Sequence, residues 1–166
     1  KLTLMKTSAD SLKKSADALN DSSLWEKKKI KKKDEKTGEE IEVEDYDWDK
    51  ITKAVKSFVE DYNDVVKEAG ESNTKDVLRN ASWMTGMTDK NSNMLAKIGI
   101  TIGKGNKLEL DEDALKQADI SSLKTVFTGY NSFVSKISQK ATGISNAANR
   151  ASATYTNNGT YSKTDS

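Results

Sequence analysis

The clearest signal in the chain is a run of apolar residues spaced three and four apart. Leu2, Met5, Ala9, Leu12, Ala16 and Leu19 follow this spacing over residues 2–19. It puts one apolar stripe on one helix face and leaves Lys, Ser, Thr and Asp on the other. The segment Asn20-Asp21-Ser22-Ser23 then offers side chains that compete for backbone hydrogen bonds and end the helix. A second stripe, Ile51, Val55, Phe58, Tyr62, Val65 and Ala69, predicts a helix over 49–69, capped by Asp47 or Asp49 and ended at Gly70. A third runs from Tyr130 through Val134, Ile137, Ala141, Ile144, Ala148 and Ala151 to Tyr155, in a helix that starts within 121–130. Gly143 falls inside it and is expected to weaken it by up to about 1 kcal/mol relative to Ala.

Between these helices the period changes. Lys27–Lys33 holds six lysines around Ile30, and Glu39–Asp45 holds five acids around Ile41 and Val43. Folding the two runs about Lys36 and Thr37 sets Lys33 opposite Glu40, Lys31 opposite Glu42 and Lys29 opposite Glu44. The same register sets Ile30 opposite Val43 and Trp25 opposite Trp48. Such pairs each stabilise a ladder by roughly 0.2–1 kcal/mol, which predicts a charged β-hairpin inserted at 24–48. A disordered charged loop is the alternative, because a lone hairpin is marginal in water. Residues 74–98 read as one or two short helices, interrupted near Gly86 and 89–93. Ile98, Ile100 and Ile102, then Leu108 and Leu110, alternate about a Gly-containing turn and predict a small hairpin over 98–110. Asp111 or Asp113 caps a short helix after it. Residues 156–166 are polar and are expected to be a disordered tail after a single helical domain spanning 1–155.

Composition sharpens this. With 34% hydrophobic and 32% charged residues, the chain can bury narrow seams between helices better than a thick core. Cys, His and Pro are absent. That removes thiolate chemistry, the commonest metal ligand and any obligatory helix break. The net charge is +1 and no apolar run is long enough for a membrane span, so neither a nucleic acid nor a membrane is an expected partner.

Candidate chemistry is thin. Gly103-Lys104-Gly105-Asn106-Lys107 lacks the spacing of a phosphate loop and sits between two strands, so it reads as a turn. Asp111-Glu112-Asp113 lacks the glycine and distant glutamate of a calcium loop and reads as a helix cap. The lysine run has an acidic counterpart beside it and no interleaved aromatic residues for stacking bases. Neither an enzyme activity nor a cofactor is expected.

Four segments carry a resemblance to a known family. Ser57-Phe58-Val59-Glu60-Asp61-Tyr62-Asn63-Asp64-Val65-Val66 resembles the "FVxxYNxVV" helix of the bacterial flagellar filament cap proteins, also called hook-associated protein 2. Met94–Thr101 resembles their "LxxIGIT", Lys107–Leu115 their "GxLxLDExxL", and Val126-Phe127-Thr128-Gly129 their "VxxLFxG". Order and approximate gaps agree over about 50–140. The resemblance implies the carboxy-terminal part of a cap-like protein, in which a last helix joins an amino-terminal helix in a coiled leg. It implies no catalytic residues. Family members carry further β-rich domains between the terminal helices, where this chain has only the charged segment.

The fold expected is therefore mainly α with a minor β part: an elongated antiparallel helical bundle or coiled coil with two small β-hairpins. The function expected is non-catalytic and structural. A protein of the extracellular flagellum would act through self-association or docking on flagellin-like subunits. Its packing or assembly residues are Leu2, Met5, Leu12, Leu19, Tyr130, Val134, Ile137 and Ile144. The alternative is a secreted or surface-exposed, adhesin-like module that binds a partner through the charged hairpin, with Trp25, Ile30, Val43 and Trp48.

Overall fold

The computed structural model describes residues 2–157, and side chains through residue 153. Its helices are α1 (Leu2–Leu19), α2 (Trp48–Gly70), α3 (Lys75–Lys90), α4 (Ser92–Ala96), α5 (Glu112–Gln117), α6 (Ile120–Phe127) and α7 (Phe133–Asn157). Its strands form two antiparallel pairs, β1 (Lys28–Lys33) with β2 (Glu40–Asp45), and β3 (Ile100–Ile102) with β4 (Leu108–Leu110). The protein is thus mainly helical, with two small hairpins.

The four long helices form the body. Helix α1 lies antiparallel to α7: Asp10 meets Ser145, Asp17 meets Ser138, and Asn20 meets Gly129. Helix α2 covers another side of α1, and α3 lies against both α7 and α2. The stripes explain this packing. Met5, Ala9, Leu12, Ala16 and Leu19 of α1 are buried, as are Ile51, Val55, Phe58, Tyr62, Val65 and Ala69 of α2 and Val134, Ile137, Ala141, Ile144 and Ala148 of α7. Leu2 is partly buried. The alanines let helix backbones approach closely, and the larger residues between them supply the area removed from water.

The charged hairpin pairs Lys33 with Glu40, Lys31 with Glu42, Ile30 with Val43 and Lys29 with Glu44, the register expected from the sequence. The ladder ends at Lys28 with Asp45, so Trp25 and Trp48 do not form the expected cross-strand pair. Trp25 lies in a short 3-10 turn, Ser22–Trp25, and Trp48 opens α2. Asp47 is the residue that caps α2, accepting the Lys50 amide.

Three other expectations are corrected. Helix α3 runs straight through Gly86, and the break comes at Asn91, within the expected 89–93 interruption. The last long helix does not start within 121–130: α6 ends at Phe127, Gly129 takes φ 103°, and α7 starts at Phe133. Ile98 precedes β3 rather than belonging to it, although it is buried. Helix α7 continues through Thr156 and Asn157. The rest of the expected tail, 158–166, and the side chain of Tyr155 lie outside the described residues.

Candidate assembly surfaces

The α1–α7 seam is built by a repeated unit. Asp10 accepts from Lys6 Nζ at 2.8 Å on its own helix and from Ser145 Oγ at 2.6 Å across the seam. One heptad later, Asp17 accepts from Lys13 Nζ at 2.7 Å and from Ser138 Oγ at 2.7 Å. The Lys6 and Ser145 hydrogen bonds hold the Asp10 carboxyl below the usual range, against a smaller opposing effect of burial. At Asp17 burial pulls the carboxyl upward, but the bonds from Lys13 and Ser138 outweigh it and the net shift is also downward. Each unit thus joins a helix-stabilising i,i+4 ion pair to a cross-helix hydrogen bond, and its seven-residue repeat fixes the register of the two helices.

Two asparagines pin loops onto helices. Asn63 of α2 donates through Nδ2 to the Leu108 carbonyl (2.9 Å) and accepts the Leu108 amide (2.7 Å), acting as a one-residue strand beside β4. Asn20, just after α1, donates to the Gly129 carbonyl (3.2 Å) and accepts its amide (2.9 Å). The second clamp fixes the corner between α6 and α7 at the end of α1. Asn63 belongs to the Tyr-Asn pair that carried the family resemblance. Its role is a consequence of the tertiary fold, as its partner lies 45 residues away.

Two glycines explain further details. Gly99 has φ 91°, and a Cβ there would lie 2.7 Å from the Asp111 carbonyl oxygen, while Asp111 donates its amide to the Gly99 carbonyl. Only glycine meets both conditions. At Gly143 a Cβ would run into the Asn80 side-chain amide. Gly143 therefore does more than weaken α7: it lets α3 lie close.

An aromatic cluster sits at the hairpin end of the body. Trp25 stacks on Phe127 at 5.6 Å, and Phe58 meets Phe127 and Phe133 edge to face at 6.5 and 6.3 Å. Trp25 Nε1 donates to the Leu19 carbonyl at 2.7 Å and so satisfies one of the open carbonyls at the end of α1. Beneath the cluster, Tyr62 donates to Thr88 Oγ1 at 2.8 Å, and burial pushes its phenol up to about 12.

The residues expected to serve assembly fall into two groups. Met5, Leu12, Leu19, Val134, Ile137 and Ile144 are buried inside one subunit, and Leu2 lies at the edge of that core. Tyr130 does not belong with them: it lies outside α7 and is 85% exposed, because the chain turns at Gly129 before the helix begins. Among the expected partner-binding residues, Ile30 and Val43 face each other on the hairpin and Trp48 is half-buried at the start of α2, 6.0 Å from Tyr46. Trp25 is corrected: only 2% of it is exposed, so it is a core residue rather than a contact for a partner. Sequence reasoning missed the exposed Trp83, whose ring lies 4.9 Å from Lys140 Nζ. The stripes marked buried positions and carried no signal for it.

Among the described residues no group of three or more acidic, His or Cys side chains is placed to hold a metal ion, and no helix is long and apolar enough to cross a membrane. The fold and its surfaces define a mainly helical bundle held by heptad seams, with a charged hairpin at one end. The chain matches the family described as flagellar hook-associated protein 2 C-terminus over residues 72–166, more than half its length, and it belongs to that family. The family is a structural one of the flagellar filament cap. No curated protein and no solved structure matches the chain.

Proposed function

We propose that this protein is a non-catalytic assembly module of the extracellular flagellum, which docks on filament subunits or associates with copies of itself through its helices. The family match over α3 to α7 carries this. The bundle supports it in one respect. The apolar stripes of α1, α2 and α7 are consumed within the subunit, so helix-mediated docking would use outward positions, where Leu4, Leu78 and Trp83 stay exposed, with Tyr130 exposed on the turn before α7. The adhesin-like alternative is not favoured: the family is flagellar, and Trp25 is buried.

The test is a binding measurement against flagellin-like subunits, with mass determined over a range of concentrations. Saturable binding to the subunits, weakened by Trp83→Ala or Tyr130→Ser, is expected. A strictly monomeric protein with no affinity for such subunits would rule the proposal out.

A further inference from the structure

The charged hairpin has two unlike edges. Asp34 donates its amide to the Glu39 carbonyl at 2.7 Å, inside the hairpin. Antiparallel strands alternate, so the backbone groups of Lys32, Ile30 and Lys28 also point inward, as do those of Ile41, Val43 and Asp45. The amides and carbonyls of Lys29, Lys31 and Lys33 therefore point out along one edge. Those of Glu40, Glu42 and Glu44 point out along the other. The sheet has only these two strands, so neither outer edge is paired within the described chain.

One edge is thus wholly basic at its outward positions and the other wholly acidic. Lysines on a free edge ordinarily keep other strands away. Two copies meeting β1 to β1 would face Lys with Lys, and β2 to β2 would face Glu with Glu. Joining β2 of one copy to β1 of the next instead repeats the chemistry already found inside the hairpin. Glu42 would lie opposite Lys31, Val43 opposite Ile30, and Asp45 opposite Lys28, as in the intramolecular register. Ile41, 39% exposed, would gain the aliphatic stem of Lys32 beside it.

We propose that the hairpin is a self-association element in which the acidic edge of β2 adds to the basic edge of β1 on a second copy of this chain. Such an interface is head to tail, because the two surfaces differ. It builds a ring if the rotation closes and a chain if it does not. The inference goes beyond the proposed docking on filament subunits and does not depend on it, since it uses only the hairpin.

Two edge-blocking variants of the full-length chain test it. Lys31→Pro removes an outward amide from the β1 edge only, and Glu42→Pro does the same on β2. Neither takes a hydrogen bond from the hairpin itself. In sedimentation velocity the wild type should form species larger than a dimer, which weaken as salt rises toward 1 M. Each variant alone should lose association by about tenfold or more. An equal mixture of the two should give a dimer and nothing larger, since one good edge remains on each. Hydrogen exchange at Ile30, Lys32, Ile41 and Val43 reports whether the hairpin survives. Should a proline variant lose that protection, the reversals Lys31→Glu and Glu42→Lys take its place: each alone should lose association, and an equal mixture, in which the altered edges again meet opposite charges, should recover assembly beyond a dimer.

A wild type that stays monomeric overturns the proposal. So do variants that assemble as the wild type does, which would place self-association on the helices. Binding to flagellin-like subunits, measured separately on the proline variants, should be unchanged, so failure of this proposal is distinct from failure of the docking one.

Discussion

The bundle and the charged hairpin obey opposite rules. In the bundle, side chains such as Phe58, Leu12 and Ile137 are wholly buried, and stability comes from area removed from water. In the hairpin most side chains are exposed, and the ladder holds facing Lys and Glu positions, one ion pair, Lys32 Nζ to Asp45 Oδ2 at 2.6 Å, and one matched apolar pair. Exposed pairs contribute between 0 and about 1 kcal/mol each, so the hairpin's own ladder is weakly held compared with the buried bundle. A segment held so loosely serves as a contact element better than as a structural one, because its edges are open and none of its side chains belongs to the core of the bundle.

The most disruptive single change should therefore be in the bundle. Phe58→Ala removes the ring that meets Tyr62, Phe127 and Phe133. It should cost about 3–5 kcal/mol in chemical denaturation. A second break comes at Gly99→Ala, where φ 91° and the nearby Asp111 carbonyl both oppose a side chain. About 1–3 kcal/mol is expected there, with loss of amide protection around β3 and β4. Asn63→Ala orphans the amide and carbonyl of Leu108 and should cost about 1–3 kcal/mol by the same measurement.

Replacing residues 27–45 by a short Gly-Ser linker should do far less. A loss under about 1 kcal/mol corresponds to a Tm shift of about 2–4 °C or less. A collapse of the helical signal would show that the two regions are not separable.

The smallest effect is on acid stability. Asp10 and Asp17 are held below their usual values, so their contribution is complete above the unfolded value near 3.9 and is lost as pH falls through the depressed folded values. Asp61 acts in the opposite sense. Burial raises it, helped by Asp64 and Glu60 and opposed by a hydrogen bond from Ser15, so protonation stabilises the fold as pH falls through its raised value. Asp61→Asn should be neutral or slightly stabilising at pH 7, and the gain should shrink in acid. The denaturation midpoint followed from pH 7 to pH 3 checks both signs.

The same contrast marks what was legible in the sequence. The stripes of α1, α2 and α7 could be read because helical periodicity acts locally and repeats many times. The hairpin register could be read because its charges are complementary residue by residue. The turn at Gly129 could not: Val126, Phe127 and Val134 fit one apolar rhythm across it, and the clamp that holds the corner comes from Asn20, more than a hundred residues away. Trp25 was misplaced for a related reason. A hairpin register extends on paper as far as one continues counting, whereas the strand ends where the ring finds Phe127. The hold of Asn63 on Leu108 and the Asp–Ser contacts of the seam had no sequence signal, as each joins residues distant along the chain.

The stack of Trp25 on Phe127 couples the hairpin to the body mechanically. A pull on the strands would reach the indole within three residues of Lys28, and from there pass into α6 through the ring and into the end of α1 through the Leu19 carbonyl. The loosely held arm thus has a stiff root. Its fluorescence would report strain at the root before the arm itself lets go.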